Sequence, residues 1–145
     1  MAGEGLRILH TESSLGWGGQ EIRVLTEARG VARRGHDVAI AAPEASRILQ
    51  AAAGYGVEAI ALPIGRKSLQ GLLAMTGLLR NRRFDVVNTH SSTDSWLASL
   101  AACFQRHAPP IVRTRHISAP VPRNFATRWL YRSATRRIVT TGERL

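Results

Sequence analysis

Short apolar runs alternate along the chain with segments whose apolar residues recur every third or fourth position. Leu6 to Thr11 (LRILHT) predicts a strand, and Gln20 to Arg34 predicts a helix with Ile22, Leu25, Ala28 and Ala32 on one side. Gly35 is a natural stop for that helix. Asp37 to Ala42 predicts a second strand, Ser46 to Ala53 a small helix closed by Gly54 or Gly56, and Val57 to Leu62 a third strand. Runs this continuous suit strands buried on both faces.

The alternation continues with a helix over Leu69 to Arg82, a strand over Phe84 to Thr89, a helix over Asp94 to Arg106 and a strand over Ile111 to Arg115. A Pro-bearing loop, Ser118 to Arg123, leads to Asn124, a candidate N-cap for a helix over Phe125 to Thr135, and Arg137 to Thr141 predicts a sixth strand. Strand and helix in strict turn, joined by short loops, predict an α/β fold: a Rossmann-like, doubly wound, mostly parallel sheet with helices on both faces. In such sheets ligands bind beyond the carboxyl ends of the strands, near the reversal of strand order. That places the chemistry in Glu12 to Gly19, His90 to Asp94 and His116 to Asn124.

The 145 residues, 44% of them hydrophobic, suffice for one packed core. Cys103 is the only cysteine, which excludes an internal disulfide or a multi-cysteine zinc site and points to a reducing cytoplasm. The longest apolar stretch, Leu69 to Leu79, is interrupted by Gln70, Gly71, Thr76 and Gly77, too short to span a bilayer. The N-terminus shows no secretory signal pattern. The formal charge of +10 is uneven, −1 over residues 1 to 64 and +11 over residues 65 to 145.

Gly18 and Gly19 open the first helix, where free N–H groups and the helix dipole favour an anion such as a diphosphate. A tight strand-to-helix turn is the structural alternative. Gly16 and Gly18 begin a G-x-G-x-x pattern, but Glu21 stands where a dinucleotide fingerprint has its third glycine. A nucleotide-cofactor enzyme, with Glu44 holding a ribose, is the second reading. Trp17 could stack on a sugar ring or pack over the loop. No nucleophile elbow, Walker-type phosphate loop or helical histidine pair is present, which disfavours a hydrolase, a nucleoside triphosphatase and a metal site.

Taken in order, the strand LRILHT, the loop Gly18-Gly19-Gln20-Glu21, the strand FDVVNTH, the strand IVRTRH and the closing RIVTTGERL resemble glycosyltransferase family 4. The resemblance covers nearly the whole chain after Gly5. It implies that residues 1–145 form the N-terminal, acceptor-side half of a GT-B architecture, with the donor-binding domain lying outside this sequence. It also implies a retaining transferase that moves a sugar from a nucleotide-sugar donor to a glycan or lipid-linked acceptor, without a metal or other cofactor, in cell-envelope or polysaccharide biosynthesis. On the same ground Gly19, with Gly18 beside it, abuts the donor diphosphate, and His116 lies near the transferred sugar as the catalytic candidate. Glu21, His90, Ser91, Asp94 and Arg115 are candidate contacts to acceptor or sugar. For His90 a hydrogen-bonded strand-end histidine is the structural alternative, and for Asp94 it is an acid stabilised in the first turn of a helix. The resemblance also implies a pair of glutamates with seven residues between them in the second domain; Glu4 and Glu12 share that spacing but straddle a strand at the wrong end of the chain.

Arg66, Lys67, Arg80, Arg82 and Arg83 flank the helix over Leu69 to Arg82. A basic amphipathic helix can lie on an anionic membrane, here the inner face of the cytoplasmic membrane. The alternative expectation is that Leu69, Leu72 and Leu73 pack on the sheet while the arginines complement the helix end. A basic nucleic-acid-binding module is a minor third reading; the arginines are scattered, and no recognition helix or aromatic platform is visible.

Overall fold

A computed structural model describes residues 3–116 and 121–140. The predicted loop residues 118–120 and the end of the chain from Thr141 lie outside the described residues. Six strands, β1 (Arg7–Thr11), β2 (Asp37–Ala42), β3 (Glu58–Ala61), β4 (Val86–Thr89), β5 (Ile111–Arg115) and β6 (Arg137–Thr140), form one sheet in the order β3-β2-β1-β4-β5-β6. Every neighbouring pair is parallel. The strand order reverses between β1 and β4, the doubly wound arrangement read from the sequence.

The helices are α1 (Gly19–Ala32), α2 (Arg47–Ala52), α3 (Leu69–Asn81), α4 (Ser92–Cys103) and α5 (Phe125–Trp129). Alternation along the strands divides the apolar residues between two cores. Leu9, Ala39, Ala41 and Val87 pack against Met75, Leu79, Leu97 and Ala101 of α3 and α4. Val38, Ile40 and Ala42 pack on the other face against Val24, Leu25, Ala28 and Ile48 of α1 and α2. Helices therefore cover both faces, as buried parallel strands require.

Local chemistry sets the element ends. Ser46 caps α2 and Ser68 caps α3, each side chain accepting a backbone N–H. Asn124 caps α5 as predicted, its Oδ1 accepting from Thr127 N at 2.7 Å. The helix predicted over Phe125 to Thr135 is instead one short α-helical segment that widens into a π-type turn at Leu130–Ala134. Gly56 ends the turn after α2 at φ +70°, a left-handed conformation that suits glycine. At the far end of α3, Arg82 grips Glu58 of β3 with two hydrogen bonds of 2.8 and 3.0 Å.

The expectation that Leu69 and Leu73 pack on the sheet is not met. Leu69 is 71% and Leu73 62% exposed, and Leu72 alone of the three packs against the core. The reason is angular: Gly71, Met75 and Leu79 form the buried stripe of α3, and Leu69 and Leu73 are displaced from it.

Candidate functional site

The carboxyl ends of β1, β4 and β5 converge on a cleft of about 420 Å³. Its walls include Gln20 of α1, His90 and Ser91 after β4, Trp96 of α4, and Arg113 and His116 of β5 and its exit. Lys67, Arg115 and Tyr131 complete a cationic and aromatic rim. Lys67 Nζ lies 5.6 Å from the Trp96 ring centre, Trp96 stacks on Trp129 at 6.0 Å, and the Arg115 guanidinium sits over Tyr131 at 5.9 Å. Such cation–π contacts help to orient the cationic groups at the rim.

Gly18 is the N-cap of α1 and Gly19 its first residue, and Gln20, next in the chain, lines the cleft. Neither glycine has positive φ. A Cβ built on Gly19 would meet nothing within 4 Å, and one on Gly18 only Glu21 Oε2 at 3.7 Å. The fold therefore has no steric need of glycine at position 19. Trp17 is partly exposed and Glu21 is buried in the first turn of α1.

Beneath the cleft floor lies a buried carboxylate network. Asp94 Oδ2 accepts from Thr11 Oγ1 at 2.6 Å and from His90 N at 3.0 Å, and its Oδ1 accepts from Ser91 N at 3.0 Å and Ser91 Oγ at 2.7 Å. Ser91 and Asp94 thus form a capping box that starts α4 at Ser92, two residues before the predicted start. Glu12 accepts from Gln20 Nε2 at 2.5 Å, from Ser14 N at 3.1 Å and from Ser91 Oγ. The single Ser91 hydroxyl proton is shared between two carboxylates. Burial, and then the Glu12 charge, push the Asp94 carboxyl up to about 6, against the pull of its hydrogen bonds. Arg113 reaches from β5 to Ser91 O and Ser95 Oγ and ties the start of α4 to the sheet.

The candidate contacts therefore separate. His116, His90, Ser91 and Arg115 line the cleft; Asp94 is fully buried and spends all its acceptor capacity on β1, β4 and its own helix cap. Four donors surround the Asp94 carboxylate, which solvent does not reach, and they fasten the start of α4 to β1 and β4. Glu44 lies exposed in the turn after β2.

Sequence reasoning missed His10. Its Nδ1 lies 2.8 Å from His90 Nε2, and His90 Nδ1 lies 2.9 Å from His116 Nε2, so three imidazoles run from the sheet interior into the cleft. Burial lowers His10 to about 4; burial, then the neighbouring histidines and Arg113, lowers His90 further below its ordinary value; burial leads the smaller lowering at His116. All three are neutral at pH 7. The one available signal was a histidine within a predicted strand, next to the apolar Ile8 and Leu9. Among the described residues no cluster of His, Cys, Asp and Glu is arranged to hold a metal ion.

A doubly wound parallel sheet with an open helix start and a polar cleft at its switch point defines a Rossmann-like α/β domain. The family model for Glycosyltransferase Family 4 matches residues 17–143, and the chain belongs to that family. Three solved structures share the fold. MurG of Acinetobacter baumannii is 13% identical, with a TM-score of 0.72, over 94% of this chain and 41% of its own. A glycosyltransferase from Rickettsia africae ESF-5 is 18% identical, with a TM-score of 0.75, over 94% of this chain and 36% of its own. Anabaena Alr3699/HepE, solved with UDP and glucose, is 14% identical, with a TM-score of 0.58, over 75% of this chain and 29% of its own. The chain thus spans well under half the length of these structures. No curated protein sequence matches it.

Proposed function

We propose that this chain is the acceptor-side domain of a retaining glycosyltransferase that moves a sugar from a nucleotide-diphosphate donor to a glycan or lipid-linked acceptor. The observation that carries the reading is the pairing of an open helix start, Gly18-Gly19, with a cleft that holds a neutral histidine, His116. Free N–H groups at the start of α1 suit a diphosphate, and glycine lets its oxygens reach the backbone. His116 then meets the oxygens of the transferred sugar or the breaking bond, while Arg115 and Lys67 at the rim suit phosphate. A partner domain supplies the rest of the donor site, consistent with the small share of each solved relative that this chain spans.

Among the described residues no helix is long and apolar enough to cross a membrane. Leu69 and Leu73 nevertheless stand exposed on α3 close to Arg66 and Lys67, and Lys67 also borders the cleft. This favours a lipid-linked acceptor drawn from an anionic membrane surface on the cytoplasmic side, as in cell-envelope or polysaccharide synthesis. The test is transfer kinetics in a polypeptide carrying this chain with a donor-binding domain. His116→Ala is expected to lower turnover about 100-fold, the scale of one lost transition-state hydrogen bond, with little change in stability. Unaltered kinetics would remove His116 from the reaction.

A further inference from the structure

The row His10–His90–His116 poses a problem of counting protons. Three neutral imidazoles carry three N–H groups, one each. Two of these fill the N···N contacts of 2.8 and 2.9 Å, since a contact between two lone pairs would repel. The third must sit at one free end of the row, on His10 Nε2 or on His116 Nδ1.

The two ends differ in surroundings. His10 Nε2 is buried and has no hydrogen-bond partner, whereas His116 borders the cleft. A buried N–H without an acceptor is among the rarest arrangements in proteins, and an unused lone pair is the better tolerated deficiency. The third proton therefore belongs at His116. The polarity of the whole row follows: His10 Nδ1–H donates to His90 Nε2, His90 Nδ1–H donates to His116 Nε2, and His116 Nδ1–H is left for a ligand.

Burial keeps the row neutral, and nearby arginines act in the same direction. Arg23 and Arg113 oppose an added proton at both His90 and His116; Glu12 and Glu21 favour one at His116, but burial outweighs them. With its Nε2 lone pair already engaged, His116 has no free basic nitrogen in this state.

We infer that His10 and His90 are positioning residues that lock His116 as an Nδ1–H donor, so that the group it meets in the cleft is a hydrogen-bond acceptor such as a sugar or phosphoryl oxygen. A role as general base, removing a proton from the acceptor hydroxyl, is excluded by the same polarity. The identity of that oxygen rests on the proposed transferase reading; the tautomer does not.

Nitrogen-15 NMR of the full chain reads the tautomer directly. At pH 7.5 the His116 Nδ1 is expected to show a protonated, pyrrole-type resonance and Nε2 a pyridine-type one. His90→Leu should release His116 to the Nε2–H form that an isolated imidazole side chain favours. His10→Asp should reverse the row: His90 Nε2–H donates to the carboxylate, His90 Nδ1 accepts from His116 Nε2–H, and His116 presents a lone pair at Nδ1. A wild-type His116 protonated at Nε2 overturns the inference, even if neither variant folds. A tautomer indifferent to both substitutions in folded protein overturns it as well. If the Nδ1–H tautomer is found but UDP-glucose leaves the His116 resonances of the two-domain enzyme unmoved, the polarity holds and the assignment of a sugar or phosphoryl oxygen falls.

Discussion

Gly19→Ala separates a glycine kept for the fold from one kept for a ligand. Alanine is the better helix former, and Gly19 is the first helical residue with a backbone that alanine adopts freely. Nothing stands within 4 Å of the new Cβ, so no steric cost offsets the gain. Restricting the unfolded chain alone contributes about 0.4–1 kcal/mol. At this chain length that raises Tm by about 1–4 °C. In the proposed donor site the same methyl group would block the approach of a phosphate oxygen to the backbone, and losing one charge-assisted hydrogen bond costs about 1.5–3 kcal/mol. Kd for a nucleotide-sugar should therefore rise about 10- to 100-fold. Urea unfolding of the chain, and calorimetric titration with UDP-glucose of a polypeptide carrying this chain with a donor-binding domain, measure the two effects. Gly71→Ala supplies the contrast: its Cβ would lie 2.7 Å from Pro63 O, and a loss of about 1–3 kcal/mol is expected. If Gly19→Ala destabilised as Gly71→Ala does, the turn would be the reason for the glycine; if stability rose and affinity stayed constant, no phosphate would lie there.

Asp94→Ala should cost about 3–5 kcal/mol, because it orphans donors from Thr11, His90 and Ser91 in a buried network, and a loss under about 1 kcal/mol in urea unfolding would refute that role. Acidification should destabilise the chain through the histidines. The unfolded His10 binds its proton near pH 6.5 and the folded one only near 4, so stability falls as pH drops through that window. Asp94, raised to about 6, works in the opposite sense and adds stability as pH falls from about 6 towards 4. Urea midpoints at pH 7.5 and 5 should therefore differ less in His10→Leu than in the wild type, and an equal difference in both would contradict the burial of a neutral His10. Replacing both Leu69 and Leu73 by Ser should weaken binding to phosphatidylglycerol vesicles about tenfold or more, on the basis of about 1 kcal/mol for each partly inserted leucine. Equal partitioning of the wild type onto neutral vesicles would refute the electrostatic part of the attraction.

The alternation of apolar runs and helical stripes made the sheet, its six strands and both helical layers legible, because each of those features is local or follows from connection length. The gathering of the loops after β1, β4 and β5 was also legible, as a rule of doubly wound sheets. Element ends were read less well where a side chain set them: Ser91 and Asp94 carry the capping-box spacing, yet Asp94 alone suggests an ordinary first-turn acid. The surface of α3 was misjudged because Leu69, Leu72 and Leu73 are equally apolar in sequence, and only the angle of the Gly71–Met75–Leu79 stripe decides which faces the core. Of the candidate site, His116, Ser91 and the two glycines sit where the loops were expected. The contact of His10 was not legible, since its partner lies 80 residues away and the contact depends on β1 lying beside β4.

The row of histidines is also a gauge of strand alignment. In the native pairing His10 stands opposite Asn88 and Thr11 opposite Thr89. Successive side chains point to opposite faces, so sliding β1 by one residue would send the imidazole to the α3 and α4 side and bring Thr11 to the other. The His10–His90 contact and the Thr11–Asp94 bond would then fail together, although they lie on opposite faces of the sheet. A His90 resonance typical of the native contact would thus report correct β1–β4 registry during refolding, from a residue whose backbone lies beyond both strands.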